Sequence, residues 1–157
     1  MTAVVRHLWI MVLVLGVVAL AMGAAFIYQG IAKENLVQTA MRQEKVTYLL
    51  PKEEVAKGNV IDTAEEAQMV ADTIKQHRQS IAPTYDDLLA GGKYDPTDSR
   101  DLTYTQGLNL QNAMNMAVLS FGVVQQTIAV GAALVVIGLA VGAAGLVLLR
   151  LDKQGQS

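Results

Sequence analysis

Two uninterrupted apolar runs frame this chain and a polar stretch lies between them. From Leu8 to Ile31 no side chain is charged and the only amide is Gln29, and from Ile128 to Leu149 nothing is more polar than glycine until Arg150 closes the run. Roughly 20 apolar residues in a helix cross about 30 Å of hydrocarbon. The pattern therefore predicts transmembrane helices over 8–31 and 128–149, short tails over 1–7 and 150–157, and an intervening domain over 32–127. The expected fold class is a mainly α membrane protein: an antiparallel two-helix transmembrane hairpin with an inserted small helical extracytoplasmic domain.

Helical periodicity continues beyond both runs. Leu36, Val37, Ala40 and Met41 recur among Glu34, Gln38, Arg42 and Glu44, so the first helix extends past Ile31. On the return side 109–127 is amphipathic and leads directly into the second run. The apolar stretch from Ala117 to Leu149 would be roughly 50 Å of helix, longer than one bilayer needs, so Gln125, Gln126 and Thr127 mark the interface. Within the middle domain, Asp62 with Glu65 reads as a capping box ahead of the stripe Ala67, Val70, Ile74, His77, Ile81, which Pro83 stops. Thr84 with Asp87 caps a short helix that Gly91-Gly92 ends, Asp95-Pro96 makes a turn, and Asp98 or Ser99 caps the return helix. Over 45–61 Val46, Tyr48 and Leu50 alternate ahead of a Gly58-Asn59 turn, which predicts a short β-hairpin.

Glycine punctuates both apolar runs at a seven-residue step: Gly16, Gly23 and Gly30 in the first, Gly131, Gly138 and Gly145 in the second, with Gly142 beside them. Such a step returns a helix almost to the same face, drifting about 20° each time. Small residues let helix backbones approach closely in lipid, where burial of apolar surface gives no drive. An antiparallel pairing of 16 with 145, 23 with 138 and 30 with 131 would stack glycine on glycine.

Charge adds orientation. The segment 32–127 holds nine Lys/Arg and thirteen Asp/Glu, a net −4, whereas the tips hold Arg6, Arg150 and Lys153 against Asp152. Basic flanks stay in the cytoplasm, so the expected layout in the plasma (inner) membrane has both termini cytoplasmic and the acidic domain outside. Arg6, the apolar run and Ala19-Leu20-Ala21 also fit a cleaved signal peptide, the competing reading of the first span. With no cysteine there is no disulfide framework, thiolate metal site or Cys nucleophile. A net charge of −2 argues against a general nucleic-acid binder.

Candidate chemistry is sparse. His77 sits in the apolar stripe beside Arg78, with Asp72, Asp86 and Asp87 near in sequence, but His7 is the only other histidine and lies at the far end of the first span. A metal site needs converging ligands; the expectation for His77 is a packed residue bonded to a carbonyl or carboxylate, and neither metal nor cofactor is expected. Gln106, Asn109, Asn112 and Asn115 step by three around one side of a helix, and buried amides demand partners. With Phe121 these asparagines are the candidate partner contacts, Val118, Leu119, Val123 and Val124 completing an apolar patch. Met41, Met114 and Met116 read as core packing.

The spans contain no ionisable residue, which argues against a self-contained transporter or channel. No phosphate-binding loop, nucleophile elbow or zincin motif occurs. The function expected is a noncatalytic accessory or assembly subunit of a larger membrane complex, its partners the bilayer and other membrane subunits or a second copy. The alternative is an extracytoplasmic ligand-binding or sensing module acting through a separate partner; a membrane enzyme ranks third.

Overall fold

A computed structural model describes residues 7–45, 47 and 50–154. Five helices follow in order: α1 (Leu8–Gln43), α2 (Lys52–Ala56), α3 (Ala64–Ile81), α4 (Tyr85–Leu89) and α5 (Ser99–Gln154). No strand occurs among the described residues. The β-hairpin expected over 45–61 is therefore corrected. Lys52–Ala56 is one short helix entered through Pro51, whose fixed φ suits a helix start. Gly58, at φ +83, reverses the chain after it. Of the alternating residues, Val46 and Tyr48 lie outside the described set, and Leu50 packs against the core cluster.

The chain divides into two compact units, Met1–Lys33 with Val124–Ser157, and Glu34–Val123. In the first, the two apolar runs are single helices long and apolar enough to cross a membrane. Only 11% of the most apolar 18-residue stretch of each is buried. Side chains such as Met11, Val17, Val136 and Leu139 are 60% or more exposed. A core helix of a water-soluble protein of this composition would instead be mostly covered.

The second unit has an ordinary side-chain core. Ala67, Val70, Ala71 and Ile74 of α3 pack with Met41, Ile61, Met114 and Phe121, and a smaller cluster joins Ala82, Leu88 and Tyr104. Local chemistry sets the α3 and α4 boundaries. Thr63 caps α3 by accepting from the Glu66 amide, and the Glu66 carboxylate accepts from the Thr63 hydroxyl at 2.9 Å and the Asp62 amide at 3.2 Å. The cap thus falls one residue later than the Asp62–Glu65 pairing. Thr63 wins because its hydroxyl can accept from the amide three residues on while Glu66 reaches back. Ala82, held extended before Pro83, ends α3. Thr84 and Asp87 form the expected box at α4, and the chain leaves through Ala90 and Gly91, both at positive φ.

In the turn ahead of α5, the Thr97 amide and hydroxyl both donate to Asp95 Oδ1, at 2.8 and 2.7 Å. These donors, the hydroxyl foremost, hold the Asp95 carboxyl below the usual aspartate range. Asp98 Oδ1 accepts the Arg100 amide at 2.7 Å, a capping contact, and buried Asp101 accepts the Asp95 amide at 2.9 Å.

Candidate functional site

In the first unit the contact between the helices is made by the missing side chains. A Cβ added to Gly23 would lie 2.7 Å from the Gly131 carbonyl oxygen and 2.8 Å from Val135 N. One on Gly131 would lie 2.8 Å from the Gly23 carbonyl oxygen and 2.9 Å from Ile27 N. One on Gly138 would meet Leu20, on Gly145 would meet Leu13, and on Gly30 would meet Ile128. Gly16 faces the Gly142 backbone, where its Cβ would sit 2.8 Å from N. In each layer the two residue numbers total 158, with the carbonyls of Gly16, Gly23, Gly131 and Gly138 reaching across from the neighbouring turn, so the helices run antiparallel along positions 13, 16, 20, 23, 27, 30 and 145, 142, 138, 135, 131, 128. Each list steps alternately by three and four, the spacing of a coiled-coil seam.

This corrects the expected glycine-on-glycine register, in which paired numbers totalled 161. Glycine stacked on glycine would leave empty slots on both helices, and interiors leave few voids. A three-residue stagger fills the slots of Gly23, Gly30, Gly131, Gly138 and Gly145 with a Leu, Ile or Val. Only the Gly16–Gly142 layer pairs two glycines, and it is asymmetric: a Cβ on Gly142 would meet nothing within 4 Å. Gly142 thus lends its backbone as a surface for Gly16 while its own open position points elsewhere.

The second unit holds the polar candidates. His77 is exposed on α3, so its stripe position does not make it the packed core residue expected. The stripe turns outward because Arg78, not His77, makes the contact with α5. Arg78 Nε donates to Gln111 Oε1 at 3.2 Å, Nη1 donates to the Tyr104 hydroxyl, and the guanidinium carbon lies 4.7 Å from the centre of the Tyr104 ring. Tyr104 is fully buried and also stands 6.2 Å, centre to centre, from Tyr85. His77 and Arg78 line a half-open groove of about 260 Å³ with Gln106 and Gly107, over a floor that includes Ile74 and Leu110.

A larger cleft, of about 770 Å³, is lined by Arg42, Lys45, Asn59, Asp62 and Glu66 among others. Arg42 Nη2 pairs there with Asp62 Oδ2 at 2.6 Å, and Glu66 is committed to the α3 cap. Among the described residues no group of three or more His, Cys, Asp or Glu could hold a metal ion.

The predicted partner residues separate. Asn109 and Asn112 are exposed on α5 and Asn115 is half-buried. Phe121 is only 4% exposed, packed in the core that holds Met41 and Met114, so its ring is consumed within the unit. Val124 is buried as well, whereas Met116, expected in the core, is exposed together with Leu119 and Val123. The face of α5 open to a partner thus runs through Asn109, Asn112, Met116, Leu119 and Val123. Sequence reasoning missed Arg78 and Tyr104, whose pairing joins positions 26 residues apart. It also missed Leu13, Leu20, Ile27, Ile128 and Val135, which the three-four spacing around each glycine does mark.

No protein-family model, curated protein or solved structure matches this chain.

Proposed function

We propose that this chain is a noncatalytic accessory or assembly subunit of a larger membrane protein complex. In this reading α1 and α5 cross the plasma (inner) membrane as an antiparallel hairpin with both termini cytoplasmic, and the unit Glu34–Val123 lies outside as an inserted domain. The observation that carries it is the open face of α5: Met116, Leu119 and Val123 are each 63% exposed although they belong to the unit with a side-chain core. Aligned exposed apolar side chains of this kind mark protein contacts, and their four- and three-residue steps present one helix face to a partner helix. The lack of ionisable groups in either apolar run supports a scaffold role over a transport pathway.

Copurification from native membranes in mild detergent tests this reading. The wild-type chain should bring down a stoichiometric membrane partner, and Leu119→Glu or Met116→Glu should release it. Both side chains are solvent-exposed, so hydrogen-exchange protection of the core around Val70 and Phe121 should persist. A chain that is monomeric in native membranes, or whose partner is retained in both variants, overturns the proposal. A second reading, a ligand-binding or sensing module, is favoured by one observation, the groove around Arg78.

A further inference from the structure

We propose that the groove between α3 and α5 is a binding site for a small organic anion with an apolar body, such as an aromatic or short aliphatic carboxylate. Three observations converge there. The first is the state of Arg78. Arginine stays ionised in proteins and is seldom drawn inward without a charged partner. Yet Arg78 is half-buried, and its hydrogen-bond partners, Gln111 and Tyr104, are neutral. The guanidinium offers five N–H donors, and among the described residues these bonds use Nε and Nη1 and none uses Nη2. In the larger cleft Arg42 has its carboxylate in Asp62; Arg78, stacked on the Tyr104 ring, has no carboxylate partner among the described residues and lines the groove.

The second observation is the lining. Ile74, Ile81 and Leu110 are apolar, whereas His77 and Gln106 are exposed polar residues at the same groove. This is the mixture of an apolar wall with a few polar groups that fixes the orientation of a small ligand. A volume of about 260 Å³ falls just below the usual 300–1,000 Å³ of drug-sized sites, so the occupant is small.

The third is Gly107. Glycine inside a helix is unfavourable relative to alanine, and packing does not require it here. An added Cβ would make only ordinary contacts, 3.8 Å from Arg78 Cβ and from Ile74 Cγ2. The missing side chain leaves space in the groove beside Arg78. Gly16, Gly23, Gly131 and Gly138 of the first unit, by contrast, are demanded by backbone contacts under 3 Å. In this arrangement the carboxylate meets Arg78 Nη2, with His77 and Gln106 at the rim, and the apolar body lies against Ile74, Ile81 and Leu110.

The test uses the full chain in nanodiscs and follows Gly107 and isoleucine methyl resonances during titration with benzoate, benzamide and inorganic phosphate. Benzoate should produce saturable shifts centred on Gly107, Ile74 and Ile81. Benzamide, lacking the charge, and phosphate, lacking the apolar body, should each bind at least about tenfold more weakly, as expected for loss of a charge-assisted hydrogen bond. Gly107→Leu, which fills the groove, and Arg78→Gln should each weaken benzoate by a similar factor. Should Arg78→Gln disturb the Tyr104 packing, Gly107→Leu and the exposed His77→Ala decide, both expected to weaken benzoate. Absence of saturation, equal binding of benzamide, or unchanged affinity in Gly107→Leu overturns the site. These readouts do not involve the membrane partner, so failure here leaves the accessory reading standing, and the reverse also holds.

Discussion

The two units of this chain solve the same packing problem with opposite materials. Around Phe121 and Val70, large side chains from several helices meet and cover one another, leaving those residues at most 5% exposed. Between Gly16–Gly30 and Ile128–Gly145, backbones touch where side chains are absent, and the large residues of the same helices face outward. The difference teaches where each kind of contact earns its stability. Burying apolar area is worth about 25 cal/mol per Å² when water is the alternative, which suits the first arrangement. Close backbone packing retains its value when the alternative solvent is itself apolar, which suits the second.

The sharpest way to break this contrast is Phe121→Ala. Removing a buried ring leaves a cavity among Met41, Met114 and Val70 and should cost about 3–5 kcal/mol. Hydrogen exchange in nanodiscs should show the loss at α3 amides. The seam should be spared, as read by unchanged amide resonances of Gly23, Gly131 and Gly138, which lie at the contact; shifts there would mean that the two kinds of packing are not independent. Next in size is Gly23→Leu, which drives a side chain into the Gly131 carbonyl and Val135 amide. About 1–3 kcal/mol is expected if overpacking behaves as in soluble cores. Gly142→Leu, with nothing within 4 Å of its Cβ, is the matched control and should leave the helices paired. Equal damage from both variants would remove the layer assignment.

The smallest effect belongs to the Asp95 turn. Its carboxyl is held low by donors from Thr97, so it favours the folded turn above the ordinary aspartate range and loses that contribution as pH falls through it. Asp95→Asn should therefore be slightly less protected than wild type near neutral pH. The gap should close as the pH falls below the ordinary aspartate range, measured by exchange at the α5 N-terminus. A gap that widens on acidification would reverse the assigned sign.

Much of this could be read from residue spacing because the relevant physics is local. The length of each apolar run, the Thr84–Asp87 box and the stop at Pro83 depend on neighbours within four residues. The seven-step glycines marked the seam for the same reason. Its register was not legible, because that depends on which large residue fills each slot across the gap. Arg78 escaped for a related cause. Nothing near it in sequence distinguishes it from a solvated arginine, and only the fold brings Tyr104 and Gln111 to it. His77 misled because the apolar period predicts a face, and at that turn the contact passes to Arg78 while Ile81 packs beyond it.

The regular spacing of the seam also bears on what holds the two helices in alignment. Slide one helix past the other by a single heptad, about 10.5 Å at 1.5 Å per residue, and Leu20 would meet Gly145, Ile27 would meet Gly138, and Gly30 would meet Val135. Most slots would again hold a large residue against a glycine, so the glycines work as a ruler with repeated marks and name no zero. The mark that breaks the repetition is Glu34, which this slip would carry against Gly131, inside the apolar run that begins at Ile128. A carboxylate just past the apolar run of the first helix, rather than any glycine within it, is what makes one alignment different from the next.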